Sequence, residues 1–313
     1  MTARSRLWLG LLLLVSVLVG VQWMIGWPRL LAPWRTISPA ALTLATLLTL
    51  GSYAGRSARL YDYFLPATRG GFAGCLKLTL LHNLLNNLLP MRTGEASFPV
   101  LMARYFAMPL ARSLAALLWF RLMDLHALAA VALIAAGGHW LDGALVGLLA
   151  VAWLGLPWAV FQMRPASALA GFGQRLPPRW RDRLAGARDG LPRTPAAFWR
   201  AWFWTLLNWL VKLTVFAWVL RLFAPLPLAA AWMGAIGGDL TSVLPVHGVA
   251  GAGTYEAGVV AALAPFGVPA TEGLAAAVNL HLFMLGLSLV GGALALPIRH
   301  RVTAATARAD DRG

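Results

Sequence analysis

The chain has 313 residues, 59% hydrophobic and 12% charged, with a mean hydropathy of +0.70; soluble proteins spend about a quarter of their residues on charge, so a soluble globular domain is excluded. The net charge of +15 is spread over loops rather than gathered in a separate folded domain, which excludes nucleic acid as a partner and fits anionic lipid headgroups. Cys75 is the single cysteine, so neither an intrachain disulfide nor a cysteine metal cluster can form.

Uncharged runs of about 20 residues can cross a hydrocarbon core, and in lipid they satisfy their backbone only as helices. The first, Leu7 to Ile25, follows Arg4 and Arg6. It is too long for a signal-peptide core and no A-x-A-like site precedes Trp27-Pro28, so it reads as a retained span over 7–26. A second span covers 39–55, after which Arg56, Arg59 and Arg69 mark a loop. The apolar stretch 70–108 is broken at Pro90. Spans over 111–136 and 141–162 follow, joined by a connection (Gly137 to Asp142) without Lys or Arg. The polar loop 163–200 carries eight Arg against Asp182 and Asp189 and is too short for a sizeable domain of its own. Span 198–223 leads into a second interrupted stretch, 226–270, broken at Pro245 and by glycines. The last span covers 273–297, and Arg299, Arg301, Arg308 and Arg312 follow it.

Basic loops stay in the cytoplasm. The rule places both termini and the 163–200 loop inside, in a bacterial inner membrane. It also puts both ends of 70–108 inside and both ends of 226–270 outside. The expected fold is an all-α polytopic membrane protein forming one domain over 1–313. It has six full spans plus two oppositely oriented re-entrant helical hairpins, with an inverted repeat as an open option. Eight or more full spans with interior charge pairs is the alternative. Each broken stretch runs into Leu-Pro, then Gly, then a glutamate: Leu89-Pro90, Gly94 and Glu95 in one, Leu244-Pro245, Gly253 and Glu256 in the other. Paired discontinuous helices in two halves of a chain point to a transport site.

The run Asn87-Leu88-Leu89-Pro90 with Arg92, Gly94 and Glu95, the later Arg121-x-x-Asp124, and Pro245 with Gly251-x-Gly253-x-x-Glu256 resemble the lysylphosphatidylglycerol synthase transmembrane-region family, over about residues 10–297. The resemblance implies a flippase-like domain that moves a lipid between leaflets. Members with a soluble aminoacyltransferase domain carry it after the membrane region, and this sequence ends shortly after Pro297, so no lysyl transfer is expected of it. His247-Gly248-Val249-Ala250 stands where the family has a stricter run of small residues.

Ionisable residues at membrane depth line cavities or pair with one another. The candidates for substrate binding are Arg92, Glu95, Arg121, Asp124, Asp239, Glu256, Asn87 and Lys212. Arg92 offers a phosphate contact and Glu95 orients it, or the two simply hold the tip of a hairpin. Arg121 and Asp124 share one helix face as a structural pair or a phosphate contact. Asp239 and Glu256 flank the second break among glycines that equally serve close helix packing. Asn83 and Asn87 lie on one face, as glue between helices or as headgroup contacts. Lys212, with Asn208 one turn before it, needs a partner, for which Glu95 or Glu256 are the guesses.

The six histidines lie on several elements without an HExxH pair, so no metal and no cofactor is expected. Trp8, Trp23, Trp27, Trp34, Trp140, Trp153, Trp158, Trp199 and Trp202 sit near span ends as interfacial anchors. The partner expected is a membrane lipid, a phospholipid or a lipid-linked sugar. A cytoplasmic enzyme docked on the 163–200 loop and a homodimer remain open. No G-x-x-x-x-G-K phosphate loop occurs, so transport would draw on a gradient, on coupled synthesis or on no input. A membrane-embedded enzyme with Glu95 or Glu256 as base, or an accessory subunit of a lipid-modifying enzyme, are the other readings; the first expectation is a transporter, not an enzyme.

Overall fold

A computed structural model of the chain describes residues 3–65, 67–163, 177, 185–241 and 248–299. Among these residues every regular element is helical: α1 (Ala3–Met24), α2 (Trp27–Leu31), α3 (Pro33–Thr36), α4 (Pro39–Tyr63), α5 (Phe72–Leu88), a 3-10 turn (Pro90–Ala96), α6 (Ser97–Phe106), α7 (Leu110–Ala136), α8 (Gly143–Gln162), α9 (Pro195–Phe223), α10 (Leu228–Thr241), a short 3-10 turn (Val249–Gly251), α11 (Thr254–Leu263) and α12 (Ala270–Ala295). The expected all-α polytopic architecture is what forms.

Helix ends follow local chemistry. Proline, whose missing N–H costs nothing in a first turn, opens α4 at Pro39 and α9 at Pro195. Thr194 caps α9 by accepting from the Ala197 amide (3.2 Å), and Asp142 caps α8 by accepting from Ala144 (2.8 Å). Left-handed residues stop two others: Ala107 (φ 51) ends α6, and Gly267 (φ 74) turns the chain toward α12.

Five stretches are long and apolar enough to cross a membrane: Leu110–His139, Gly143–Gln162, Pro195–Phe223, Val249–Phe266 and Ala270–Ala295. A sixth arises if Leu11–Met24 and Trp27–Thr36, bent by 91°, count as one broken span. The Val249–Phe266 stretch is not one continuous helix. Ala250 (φ 53) and Gly253 (φ 85) interrupt its first turns, leaving α11 with ten residues, about 15 Å at 1.5 Å per residue. Helices α6 and α11 are thus each about half the ~30 Å needed to cross.

The expected span 39–55 is longer than the sequence reading gave it. Helix α4 runs on to Tyr63, so Arg56 and Arg59 belong to a helix and not to the loop after it. Its second half, with Arg56, Arg59 and Asp62, is too charged for a simple lipid-facing span. Arg59 is buried inside the protein. Of the other stretches read as interrupted or polar, the break around Pro245 (residues 242–247), nearly all of the basic loop up to 184, and the tail from 300 lie outside the described residues.

Each interrupted stretch contributes a pair of helices packed on each other, the first and the second hairpin. In the first, α5 (17 residues) and α6 (10 residues) pack on either side of the Pro90–Ala96 turn. In the second, α10 (14 residues) and α11 (10 residues) lie tightly together. Glycine makes the second contact possible. A Cβ on Gly237 would strike the Gly258 carbonyl, one on Gly258 would strike the Gly237 carbonyl and Thr241, and one on Gly238 would enter the Tyr255 ring. In the first hairpin Gly94 lies against the backbone of Asn86 with no space for a side chain. The two turns, Pro90–Ala96 and Val249–Gly251, touch each other. The larger apolar core joins α7, α9, α10, α11 and α12 through residues such as Leu213, Phe216, Leu220, Val259 and Leu280. A smaller one, with Phe64, Leu78, Phe98, Met102 and Phe120, lies under the first hairpin. Helix α8 lies outside both, with Leu148 and Val151 67% and 73% exposed, as a lipid-facing helix requires.

Gly258→Leu should lower stability by about 1–3 kcal/mol or more, the cost of overpacking a filled contact. Gly147→Leu on α8, where a Cβ meets nothing within 4 Å, should leave it unchanged. Thermal unfolding of the two variants in detergent measures the difference.

Candidate functional site

The sequence signal for the site is a set of charges on helices that have no water to solvate them. In the fold these charges find one another. Asp124, on α7, is buried. Its Oδ1 accepts from Arg59 Nη1 (2.8 Å) and Trp209 Nε1 (2.9 Å), and its Oδ2 from Arg121 Nη1 (3.3 Å). Arg59 in turn donates to Thr205 Oγ1 (2.9 Å), and its guanidinium lies 4.4 Å from the centre of the Phe120 ring. One carboxylate thereby ties α4, α7 and α9 together. Arg121 reaches further, its Nη2 donating to Glu95 Oε1 (2.5 Å), so the turn of the first hairpin is held to α7. The side chain of Arg92, the other charge of that turn, lies outside the described residues.

Lys212 on α9 donates to Asp239 Oδ1 on α10 (2.7 Å). Its ammonium lies 5.0 Å from the rings of both Trp209 and Phe216, a cation–π arrangement that offsets part of the lost hydration. The partner is therefore Asp239 and neither of the glutamates guessed from sequence. Glu256, on α11, has two tasks. Its Oε2 accepts from the Gly253 amide (2.8 Å), reaching back to the helix start as in a capping box, while its Oε1 lies 2.6 Å from His281 Nδ1 on α12. The other ring nitrogen of His281 is 2.8 Å from the carbonyl of Ala250. That carbonyl belongs to a residue in the left-handed region (φ 53), a conformation costing roughly 1–2 kcal/mol for a residue with a Cβ. The imidazole thus braces a strained turn.

These groups surround a cavity of about 60 Å³. Its walls come from Tyr53 and Arg56 on α4, Asn83, Asn86 and Asn87 on α5, Arg121, Lys212, Asp239, the Ala250–Gly251 turn, Tyr255 and His281. A water needs about 10–15 Å³ by this measure, so the conformation admits a few waters or a small anion but no whole headgroup. A second space of about 40 Å³ shares Arg56 and Arg121 with the first and runs between Leu78, Phe98, Leu117 and Phe120 toward the first hairpin. Asn87 Nδ2 donates to Ser288 Oγ (2.7 Å), and Asn83 Oδ1 accepts from Arg56 Nη1 (2.7 Å). Both asparagines bridge helices, and both also face the cavity.

Arg56 differs from the other cations. Arg59, Arg121 and Lys212 each meet a carboxylate, but among the described residues none lies within ion-pair distance of Arg56. Its Nε and the buried Tyr255 hydroxyl have no hydrogen-bond partner. Among the described residues four cations (Arg56, Arg59, Arg121, Lys212) therefore stand against three carboxylates (Glu95, Asp124, Asp239), with Glu256 shared with His281. The surplus positive charge is on the wall of the cavity, where it can meet an anion. Among the described residues no three His, Cys, Asp or Glu side chains converge as a metal ion would require.

The fold thus gathers Glu95, Arg121, Asp124, Asp239, Lys212, Asn87 and, behind the cavity wall, Glu256. Asp239 lines the cavity directly, and Glu256 acts through His281. Arg56, Arg59, Tyr255, His281 and Ser288 were missed. Arg56 and Arg59 were hidden because the apolar run was ended at its first charge, although Ser52, Tyr53 and Ser57 continue a polar helical face into them. His281 was weighed only as a metal ligand, when an ionisable residue inside an apolar span is itself the signal. Two tryptophans read as interfacial anchors also have interior partners: Trp34 donates to Asn279 Oδ1 (2.6 Å) and Trp153 to the His126 carbonyl (3.0 Å).

The family described as Lysylphosphatidylglycerol synthase TM region matches residues 7–292 of the chain. No curated protein matches it.

Arg59→Met and Asp124→Leu should each cost about 3–5 kcal/mol, because each leaves a buried charge without its partner. The double variant should cost clearly less than the sum of the two. A double-mutant cycle on unfolding free energies in detergent checks this.

Proposed function

The chain belongs to the lysylphosphatidylglycerol synthase TM region family, a multi-pass membrane domain linked to lipid modification or transport, and on that premise we propose that it carries a lipid headgroup between leaflets. The observation that supports this reading is Arg56: a cation on the wall of a polar cavity inside a membrane protein, with no carboxylate partner among the described residues. A guanidinium so placed suits a phosphate, which it binds through charge-assisted hydrogen bonds. Every phospholipid and polyprenyl-linked sugar presents a phosphate, so either class fits. Asn83, Asn86, Asn87 and the Tyr255 hydroxyl are placed to meet the oxygens around it, and Lys212 adds a second, compensated charge.

In this reading the two hairpins are re-entrant elements that enter from opposite faces and meet at their turns. The phosphate binds where they meet while the acyl or prenyl chains stay in lipid. The small cavity corresponds to a closed conformation, and separation of the turns would admit the headgroup from one side at a time. The termini and the basic loop would face the cytoplasm of a bacterial inner membrane. The transport reading involves no chemical step. The carboxylates near the cavity serve as hydrogen-bond acceptors in this reading: Glu256 for His281 and the Gly253 amide, and Glu95 for Arg121.

The test is transbilayer movement of labelled lipids in proteoliposomes, using phosphatidylglycerol, phosphatidylethanolamine and a polyprenyl phosphate. Wild type should accelerate at least one of them. Arg56→Ala should slow it by roughly tenfold to a hundredfold, as expected for loss of a charged hydrogen bond of about 1.5–3 kcal/mol. Arg104→Ala, on an exposed position of α6, should match wild type. Rates equal to protein-free vesicles for every lipid would overturn the proposal.

A further inference from the structure

Both ring nitrogens of His281 face oxygen. Nε2 is 2.8 Å from the Ala250 carbonyl and Nδ1 is 2.6 Å from Glu256 Oε1. A carbonyl can only accept, so Nε2 must carry a proton. The 2.6 Å contact then also needs one, on Nδ1 or on the carboxyl. Without it, a nitrogen lone pair would face a carboxylate in a site where both side chains are 4% exposed and water cannot intervene. Glu256 Oε2 is already taken by the Gly253 amide. The closed turn at Ala250–Gly253 therefore holds one exchangeable proton between α11 and α12, and that proton is a condition of its hydrogen bonding.

We infer that the Glu256–His281 pair is a proton-binding site whose occupancy holds the second hairpin's turn against the cavity, making the proton the coupling ion of headgroup movement. The part that concerns movement rests on the transport reading above. With the proton the pair is neutral overall and the cavity keeps the surplus positive charge of Arg56. Without it the pair carries a net negative charge that cancels that surplus. Closing the turn, binding an anion and binding the proton thus favour one another. Among the described residues, the other titratable or charged groups facing the pair across the cavity are Tyr53 and Arg56 on α4, Arg121 on α7, Lys212 and Asp239 paired between α9 and α10, and Tyr255, whose ring lies 4.5 Å from that of His281. Helix α5 presents the amides Asn83, Asn86 and Asn87 there.

Hydrogen exchange over Gly248–Glu256, read by mass spectrometry on the full chain in nanodiscs and corrected for the intrinsic pH effect, tests the site without reference to transport. In wild type, protection of this segment should fall as pH rises, by up to about tenfold per pH unit, while peptides of α7 and α9 stay unchanged. In Glu256→Gln the side-chain amide can donate to Nδ1 and its oxygen can accept from Gly253, so the segment should stay protected at every pH. In His281→Ala it should be unprotected at every pH. Protection independent of pH in wild type, or a Glu256→Gln curve that follows wild type, would overturn the inference. In proteoliposomes the wild-type lipid flux should respond to an imposed pH gradient and the Glu256→Gln flux should not. Flux that ignores the gradient would refute the coupling while leaving the carrier reading intact; no flux at all would refute the carrier reading, with the exchange result still deciding the proton site.

Discussion

An ionised carboxylate buried among apolar helices has to obtain from the protein what water would have given it. Asp124 does so with three donors from three side chains, and the consequences reach across the molecule. Arg59 fixes α4 against α7, Trp209 brings α9 to the same point, and Arg121 extends the contact to Glu95 on the turn of the first hairpin. Because Arg59 and Arg121 each also satisfy a second group, the arrangement is a network, in which loss of one member leaves several buried groups short. The cavity lies beside this network, with Arg121 in both and Arg56 on its wall.

The two halves of the site are built differently. On the first hairpin the fixed point is an ion pair, Arg121 with Glu95, which holds the turn through charge. On the second it is a neutral or zwitterionic pair, Glu256 with His281, which holds the turn through two directional hydrogen bonds to Gly253 and Ala250. The strained backbone at Ala250 gives the second turn a reason to relax once those bonds are lost, since its left-handed conformation is unfavourable in isolation. The first turn has no such stored preference among its described residues. The two turns are thus held by different interactions, an ion pair on one and directional hydrogen bonds on the other, an asymmetry that the proposed alternate opening would use.

Much of this was legible in the sequence, and the exceptions have physical causes. Apolar run length located α7, α8, α9 and α12, because a lipid-facing helix must be apolar all round and its composition shows it. The two breaks were legible because proline and glycine have local effects that need no tertiary context. Pairings were not. Lys212 was given a glutamate as partner and takes Asp239, since which carboxylate lies opposite depends on how α9 and α10 cross. Helix α4 was cut short at Arg56 because a charge looks the same in a loop as on a helix face turned inward. The spacing of Glu256 from Gly253 is visible in the sequence, but its partner His281 comes to it from another helix. The glycines around it serve close helix packing at Gly237, Gly238 and Gly258.

The crossing of α10 and α11 has a consequence for how such a sequence can change. A Cβ on Gly237 would strike the carbonyl of Gly258, and one on Gly258 would strike the carbonyl of Gly237. In an ordinary core contact, a larger residue on one side is accommodated by a smaller one opposite. Here the obstacle on each side is main chain, and no substitution opposite can remove it. The two positions therefore offer no compensating partner to each other, and drift through this hairpin has to run along its outward faces while the crossing itself stays fixed.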